Sequence, residues 1–185
     1  MSMFTIAFAK DAMECSVWSS PGEARAALSA DLDIANEYGS GSGFVYVFSL
    51  ADESGKGVKR STVGIQMDSE FESPTILGNE WGRARWIGCN SNLYRISSSM
   101  TIDREIDLGS KFDSFRYISH LDRLIVLAEI GLFAVCGSGE IDWHVSLDVV
   151  TDVHWADESV MIFQMDSPGV RVDLRNGSIL DSPVE

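Results

Sequence analysis

Three histidines, His120, His144 and His154, are the side chains best suited to proton transfer or metal binding, and two of them share a setting. Asp142 stands two residues before His144, and Asp152 two before His154. Alternate residues of an extended strand share a face, so each pair would present a carboxylate beside an imidazole. Four such groups would be enough for a metal ion, which takes three or four converging ligands. The same residues, however, alternate with Ile141, Trp143, Val145, Val153 and Trp155, and a period of two is the mark of a strand with one face in water. No HExxH, HxH or triad spacing surrounds any histidine, and no GxSxG or SxxK lies among the serines. The expectation is no catalytic residue, no metal and no cofactor. Carboxylates paired only in space would leave a hydrolase as the third-ranked reading.

Cys15, Cys89 and Cys136 are widely spaced and odd in number, which argues against a disulfide framework and for a reducing, cytoplasmic setting. Cys89 and Cys136 lie in apolar, strand-like surroundings, where a thiol is expected to act as a small buried hydrophobe.

Charge is the stronger lead. Fourteen basic residues face twenty-eight acidic ones, a formal net charge of −14, which repels nucleic acid and anionic membranes and attracts cationic proteins. Between residues 118 and 170 nine carboxylates stand against the single cation Arg123. Asp142, Asp148, Asp152, Asp157 and Glu158 are expected on one side of a sheet. Trp143 and Trp155 stand among them, and aromatics inside a charged rim are typical binding hot spots. These seven residues are the candidate partner-binding set, although large aromatics are more often core.

The elements that must position them read as mainly β. Phe4–Ala9 and Met13–Trp18 form one expected hairpin, and Phe44–Leu50 with Ser61–Met67 a second. The first of these strands lacks the basic leader of a secretory signal, and no apolar window is long enough for a membrane helix. Between the hairpins, Ser20, Pro21 and Glu23 have capping-box spacing, and apolar residues recur on one face. One helix is predicted over about 21–38, ended by the flexible Gly39-Ser40-Gly41-Ser42-Gly43. Residues 68–79, acidic and containing Pro74, read as a crossing loop.

From Trp81 a repeat emerges. Leu93-Tyr94-Arg95-Ile96, Leu132-Phe133-Ala134-Val135 and Val170-Arg171-Val172-Asp173 align at steps of 39 and 38 residues. Each is followed by a turn and an isoleucine: Ile102, Ile141 and Ile179. Each unit reads as three strands joined by tight turns. Gly139 and Gly177 suit the positive backbone angle of a hairpin turn, while Met100 at the same place implies a turn of another type.

Leu132-Phe133-Ala134-Val135 with Gly139-Glu140-Ile141-Asp142-Trp143, and Val170 to Leu174 with Asn176-Gly177-Ser178-Ile179, resemble the repeat of PQQ-type and related β-propellers. The resemblance covers about 81–180. It implies blades docked through an aspartate, a glycine turn and a tryptophan. Here the tryptophan stands only at Trp143, with Arg104 and Asp181 near the matching places. At 185 residues a closed ring of four-stranded blades does not fit comfortably. The expectation is one domain over 1–185, an N-terminal part to residue 80 and three repeats over 81–185. Its fold class is mainly β, with antiparallel propeller-like or curved, sandwich-like repeats and one N-terminal helix.

In general character the chain resembles small acidic immunity proteins that neutralise antibacterial toxins. That implies a non-enzymatic module capturing a cationic protein, such as a toxin, through its acidic face. The alternative is a propeller-like scaffold or regulatory domain that binds a partner through an apolar edge.

Overall fold

The computed structural model describes residues 2–8, 11–18, 32–34, 45–52, 59–67, 74–77, 85–97 and 99–180, and every regular element among them is a strand. In chain order these are β1 (Ser2–Phe8), β2 (Asp11–Trp18), β3 (Leu32–Ile34), β4 (Val45–Asp52), β5 (Lys59–Gln66), β6 (Thr75–Leu77), β7 (Arg85–Cys89), β8 (Asn92–Ile96) and β9 (Ile102–Asp107). There follow β10 (Phe112–Ile118), β11 (Arg123–Ala128), β12 (Gly131–Val135), β13 (Ile141–Ser146), β14 (Val150–Trp155), β15 (Ser159–Gln164), β16 (Val170–Asp173) and β17 (Ile179–Leu180). The chain divides into two compact units, Met1–Asn90 with Tyr94–Asp103, and Ser91–Leu93 with Arg104–Glu185.

Both expected hairpins form. β1 pairs antiparallel with β2 and β4 with β5, inside a five-stranded sheet of order β1-β2-β4-β5-β3. The helix predicted over 21–38 falls mostly outside the described residues, but its Leu32–Ile34 segment is strand β3, parallel to β5. Ile34 is buried there with Phe48, Val63, Ile65 and Met67 in a cluster that also holds Ile76, Ile87, Cys89, Ile96 and Met100. For these three residues, long-range pairing and burial override a local helical pattern, as tertiary context commonly does.

The repeats are four-stranded antiparallel meanders, β6-β7-β8-β9, β10-β11-β12-β13 and β14-β15-β16-β17, rather than the expected three-stranded ones. The repeat as read from the sequence lacks the first strand of each sheet: β6 and β10 are absent from it, and the alternation at Asp152–Trp155, which belongs to β14, is not assigned to the third repeat. β6 lies within the presumed crossing loop just after Pro74, a place where proline is tolerated because it precedes the ladder. β10 and β14 each begin with a bulge, between Phe112 and Ser114 and between Val150 and Asp152. An extra residue at a bulge interrupts the period of two on which recognition depends.

The turn at Met100 is also corrected. Met100 has φ of 60°, beside 89° at Gly139 and 72° at Gly177. Its N–H donates to Ser97 O, as that of Gly139 does to Cys136 O. The same turn therefore forms with a side chain in the left-handed region, at a cost of roughly 1 kcal/mol. Burial of the methionine offsets this, since Met100 is buried and its sulfur accepts from Arg85 Nη1 at 3.6 Å.

The third copy is offset from the sequence alignment. Ser97, Cys136 and Asp173 each donate a backbone N–H across the hairpin turn, to Thr101, Glu140 and Ser178, so the equivalent positions lie 39 and 37 residues apart. The last turn is one residue longer. Val170 therefore matches Phe133 and not Leu132, and a one-residue slip moves a side chain to the opposite face of the sheet.

Sheets β10–β13 and β14–β17 share the core of the second unit. Ile125, Leu127, Leu132, Ala134 and Val145 from one meet Val160, Ile162 and Val172 from the other. At the hairpin turns, a Cβ on Gly139 would lie 2.7 Å from Arg104 Cγ, and one on Gly177 2.7 Å from Trp143 Cε3. Arg104 thus lies over the glycine turn of the following sheet as Trp143 does one repeat later, filling the docking position without a tryptophan. Asp181 lies outside the described residues.

Candidate functional site

Turns of a meander alternate between its two ends, and this decides which nominated residues meet. The β12–β13 and β14–β15 turns lie at one end of the second unit, with Asp142, Asp157 and Glu158. The β13–β14 connection lies at the other, with Asp148. Six residues of β14 separate the two ends, about 20 Å at the usual strand rise. The carboxylates therefore divide between two ends and do not gather on a single side.

Several are also already engaged. Asp142 accepts from Arg123 Nε at 2.8 Å, and Arg123 Nη1 donates to Leu121 O at 3.2 Å. Glu158 pairs with Arg175. Asp148 accepts from Val149 N–H at 2.7 Å and Ser167 Oγ at 3.0 Å. Those bonds, the Val149 N–H foremost, hold its pKa below the ordinary carboxylate value. Asp152 accepts from Val153 N–H at 2.8 Å and lies 3.3 Å from His154 Nε2, and Asp157 is exposed.

Trp143 and Trp155 both pack against the core of the second unit. Trp143 lies on Gly177, with its Nε1 buried and unpaired among the described residues. Trp155 receives Arg116 over its ring at 5.7 Å, a cation–π contact.

The histidine pairs do not converge. His144 stacks on Phe133 with ring centroids 4.3 Å apart, and His154 meets the edge of Phe163 at 5.1 Å. They belong to strands of different sheets. Among the described residues no group of three or more His, Cys, Asp or Glu side chains is placed to hold a metal.

Cys89 is buried as expected, but Cys136 is only half-buried. It heads the β12–β13 turn, with Sγ 3.1 Å from Ser138 Oγ and 3.2 Å from Glu140 O. Burial pushes that thiol up, and the hydrogen bonds at Ser138 and Glu140 outweigh it, so the net shift is downward.

The sequence reading passed over one repeated surface feature. Ile102, Ile141 and Ile179, which head the last strand of each four-stranded sheet, are 38%, 46% and 55% exposed. The signal was present, since each isoleucine marked its repeat. Alternation set Ile141 among the inward-facing residues and left Ile102 and Ile179 as turn markers only, but β9, β13 and β17 are edge strands and all three are exposed.

No protein-family model matches the chain, and no curated protein matches it in sequence. Solved structures do match in shape. The AfRom2 CNH domain has a TM-score of 0.50 at 12% identity, covering 98% of this chain and 53% of that one. HIRA(644-1017) has a TM-score of 0.50 at 10% identity, covering 96% and 54%. The Pan2 WD40 domain of Neurospora crassa has a TM-score of 0.42 at 12% identity, covering 92% and 70%. The chain thus spans about half the length of the first two. These neighbours are propeller-like folds of antiparallel blades, and the likeness establishes the fold alone.

Proposed function

We propose that this chain is a non-enzymatic, propeller-like protein-interaction module that docks a partner along the edge strands of its blades. The observation that carries the reading is the exposed isoleucine heading both β13 and β17 in the second unit, Ile141 and Ile179. Apolar groups of this size, repeated at one structural position beside the open hydrogen-bonding edge of a sheet, suit a partner that adds an extended segment and inserts side chains. The blade architecture shared with the CNH and HIRA structures supports a scaffold role by analogy of fold.

Capture of a cationic toxin by an immunity-type acidic face has less behind it. Asp142 and Glu158 already hold arginines, and Asp148 lies at the opposite end of the unit from Asp157. The two readings separate in one experiment, affinity capture with the purified chain at low and high salt. The scaffold reading expects binding lost in Ile141→Asp/Ile179→Asp and retained on charge reversal of Asp148, Asp152 and Asp157. A cationic partner released by salt and by the charge reversals, yet indifferent to the isoleucines, would replace it with the immunity-type reading.

A further inference from the structure

The one arginine buried among the described residues is Arg85, the first residue of β7, which is 8% exposed. Alternation along β7 puts it on the same face as Ile87 and Cys89, which pack with Ile96 and Met100 in the core cluster of the first unit. A guanidinium stays charged in a folded protein, so the cost of burying it cannot be relieved by loss of a proton. In such apolar surroundings its partners become decisive.

Those partners are few. Arg85 Nη1 donates to Met100 Sδ at 3.6 Å, a weak and uncharged acceptor. No carboxylate pairs with Arg85 among the described residues, although the chain carries twenty-eight acidic side chains. Arg95, Arg123 and Arg175, all more exposed, hold Asp103, Asp142 and Glu158. Compensation is thus given to the arginines that need it least. With Nη1 turned to the methionine, the parallel N–H groups of Nε and Nη2 are left along one edge of the guanidinium. Among the described residues, the guanidinium nitrogen both unbonded and sealed from solvent is Arg95 Nε, on β8. The unbonded edge of Arg85 therefore stays within reach of a small solute.

We infer that Arg85 anchors a binding site for an oxyanion, two of whose oxygens accept from Nε and Nη2. That edge matches the spacing of the oxygens on a carboxylate or a phosphate. Water would satisfy the donors and leave the charge uncompensated, an apolar group would do neither, and an oxyanion does both. Met100 is a positioning residue, since its sulfur turns Nη1 aside and fixes which edge faces the ligand. The net charge of −14 opposes any anion, so affinity is weak, with a Kd on the order of 1 mM.

Calorimetry of the full chain reads this out, with sodium phosphate exchanged for NaCl at a constant ionic strength of about 200 mM. The expected result is a saturable rise in Tm, reaching about 3–5 °C at roughly ten times the Kd. Sodium acetate in place of phosphate separates the two sources. A rise with acetate assigns the site to carboxylates, and a rise with phosphate alone assigns it to phosphoryl groups. Arg85→Met keeps an unbranched apolar stem without the charge and abolishes the rise. Arg85→Lys keeps the charge without the fork and weakens binding by about tenfold. Circular dichroism checks the fold of each, and if Arg85→Met does not fold, Arg85→Lys decides. A wild-type Tm that saturates with neither anion, or the same titration curve in either folded variant, would overturn the inference. Ile141 and Ile179 belong to the second unit, so the outcome is independent of edge-strand docking.

Discussion

Gly177 and Gly139 occupy equivalent turns, yet substitution should separate them. Both have positive φ, which penalises any side chain by about 1 kcal/mol. At Gly177 a methyl group would also strike the ring of Trp143, which is wedged against the core, whereas at Gly139 it would meet the flexible stem of Arg104. Gly177→Ala should therefore cost about 2–3 kcal/mol and Gly139→Ala about 1 kcal/mol, read as midpoints in urea denaturation. Asp148 gives a pH prediction. Its folded-state pKa lies below the ordinary value of 3.8 because Val149 N–H, and after it Ser167, donate to the carboxylate. That stabilisation is present above pH 3.8 and is lost as pH falls towards the lower folded value. Asp148→Asn should narrow the stability difference between about pH 5 and about pH 3. An unchanged difference would mean these bonds survive protonation.

The decisive fact about the elements is register. Ile162 and Phe163 are neighbours of similar hydrophobicity, but Ile162 is fully buried and Phe163 is on the outward face. Ile162→Ala should cost about 2–4 kcal/mol, while Phe163→Ala should cost about 1 kcal/mol, well short of a core phenylalanine. Equal losses would place the strand one residue out. Much at this scale was legible beforehand. Both N-terminal hairpins and the last three strands of each meander followed from alternation and turn residues. β10 escaped because its bulge breaks the alternation and β6 because three residues beside a proline carry too little pattern, whereas the alternation of β14 was visible at Asp152–Trp155 but was not joined to the third repeat. The stretch of apparent helix at Leu32–Ile34, less than one turn long, misled because apolar spacing over so few residues fits either period.

Across the molecule, charge should act through repulsion more than through any one site. With a net charge of −14 and exposed ion pairs that contribute little individually, the fold works against its own field. Raising NaCl from about 20 to about 200 mM should raise Tm by a few degrees as the Debye length shrinks, and a fall on calorimetry would show that local pairs dominate. The candidate site was the least legible part. The order of residues sufficed for a mainly β chain with a repeat near 39 residues, since side-chain alternation and turn chemistry are local and survive in one dimension. It could not tell that Asp148 and Asp157 lie at opposite ends of a strand, that Asp142 is held by Arg123, or that the repeated isoleucines meet water. Each of those depends on which end of a meander a turn occupies and whether a strand has a neighbour, and only the folded sheets decide that.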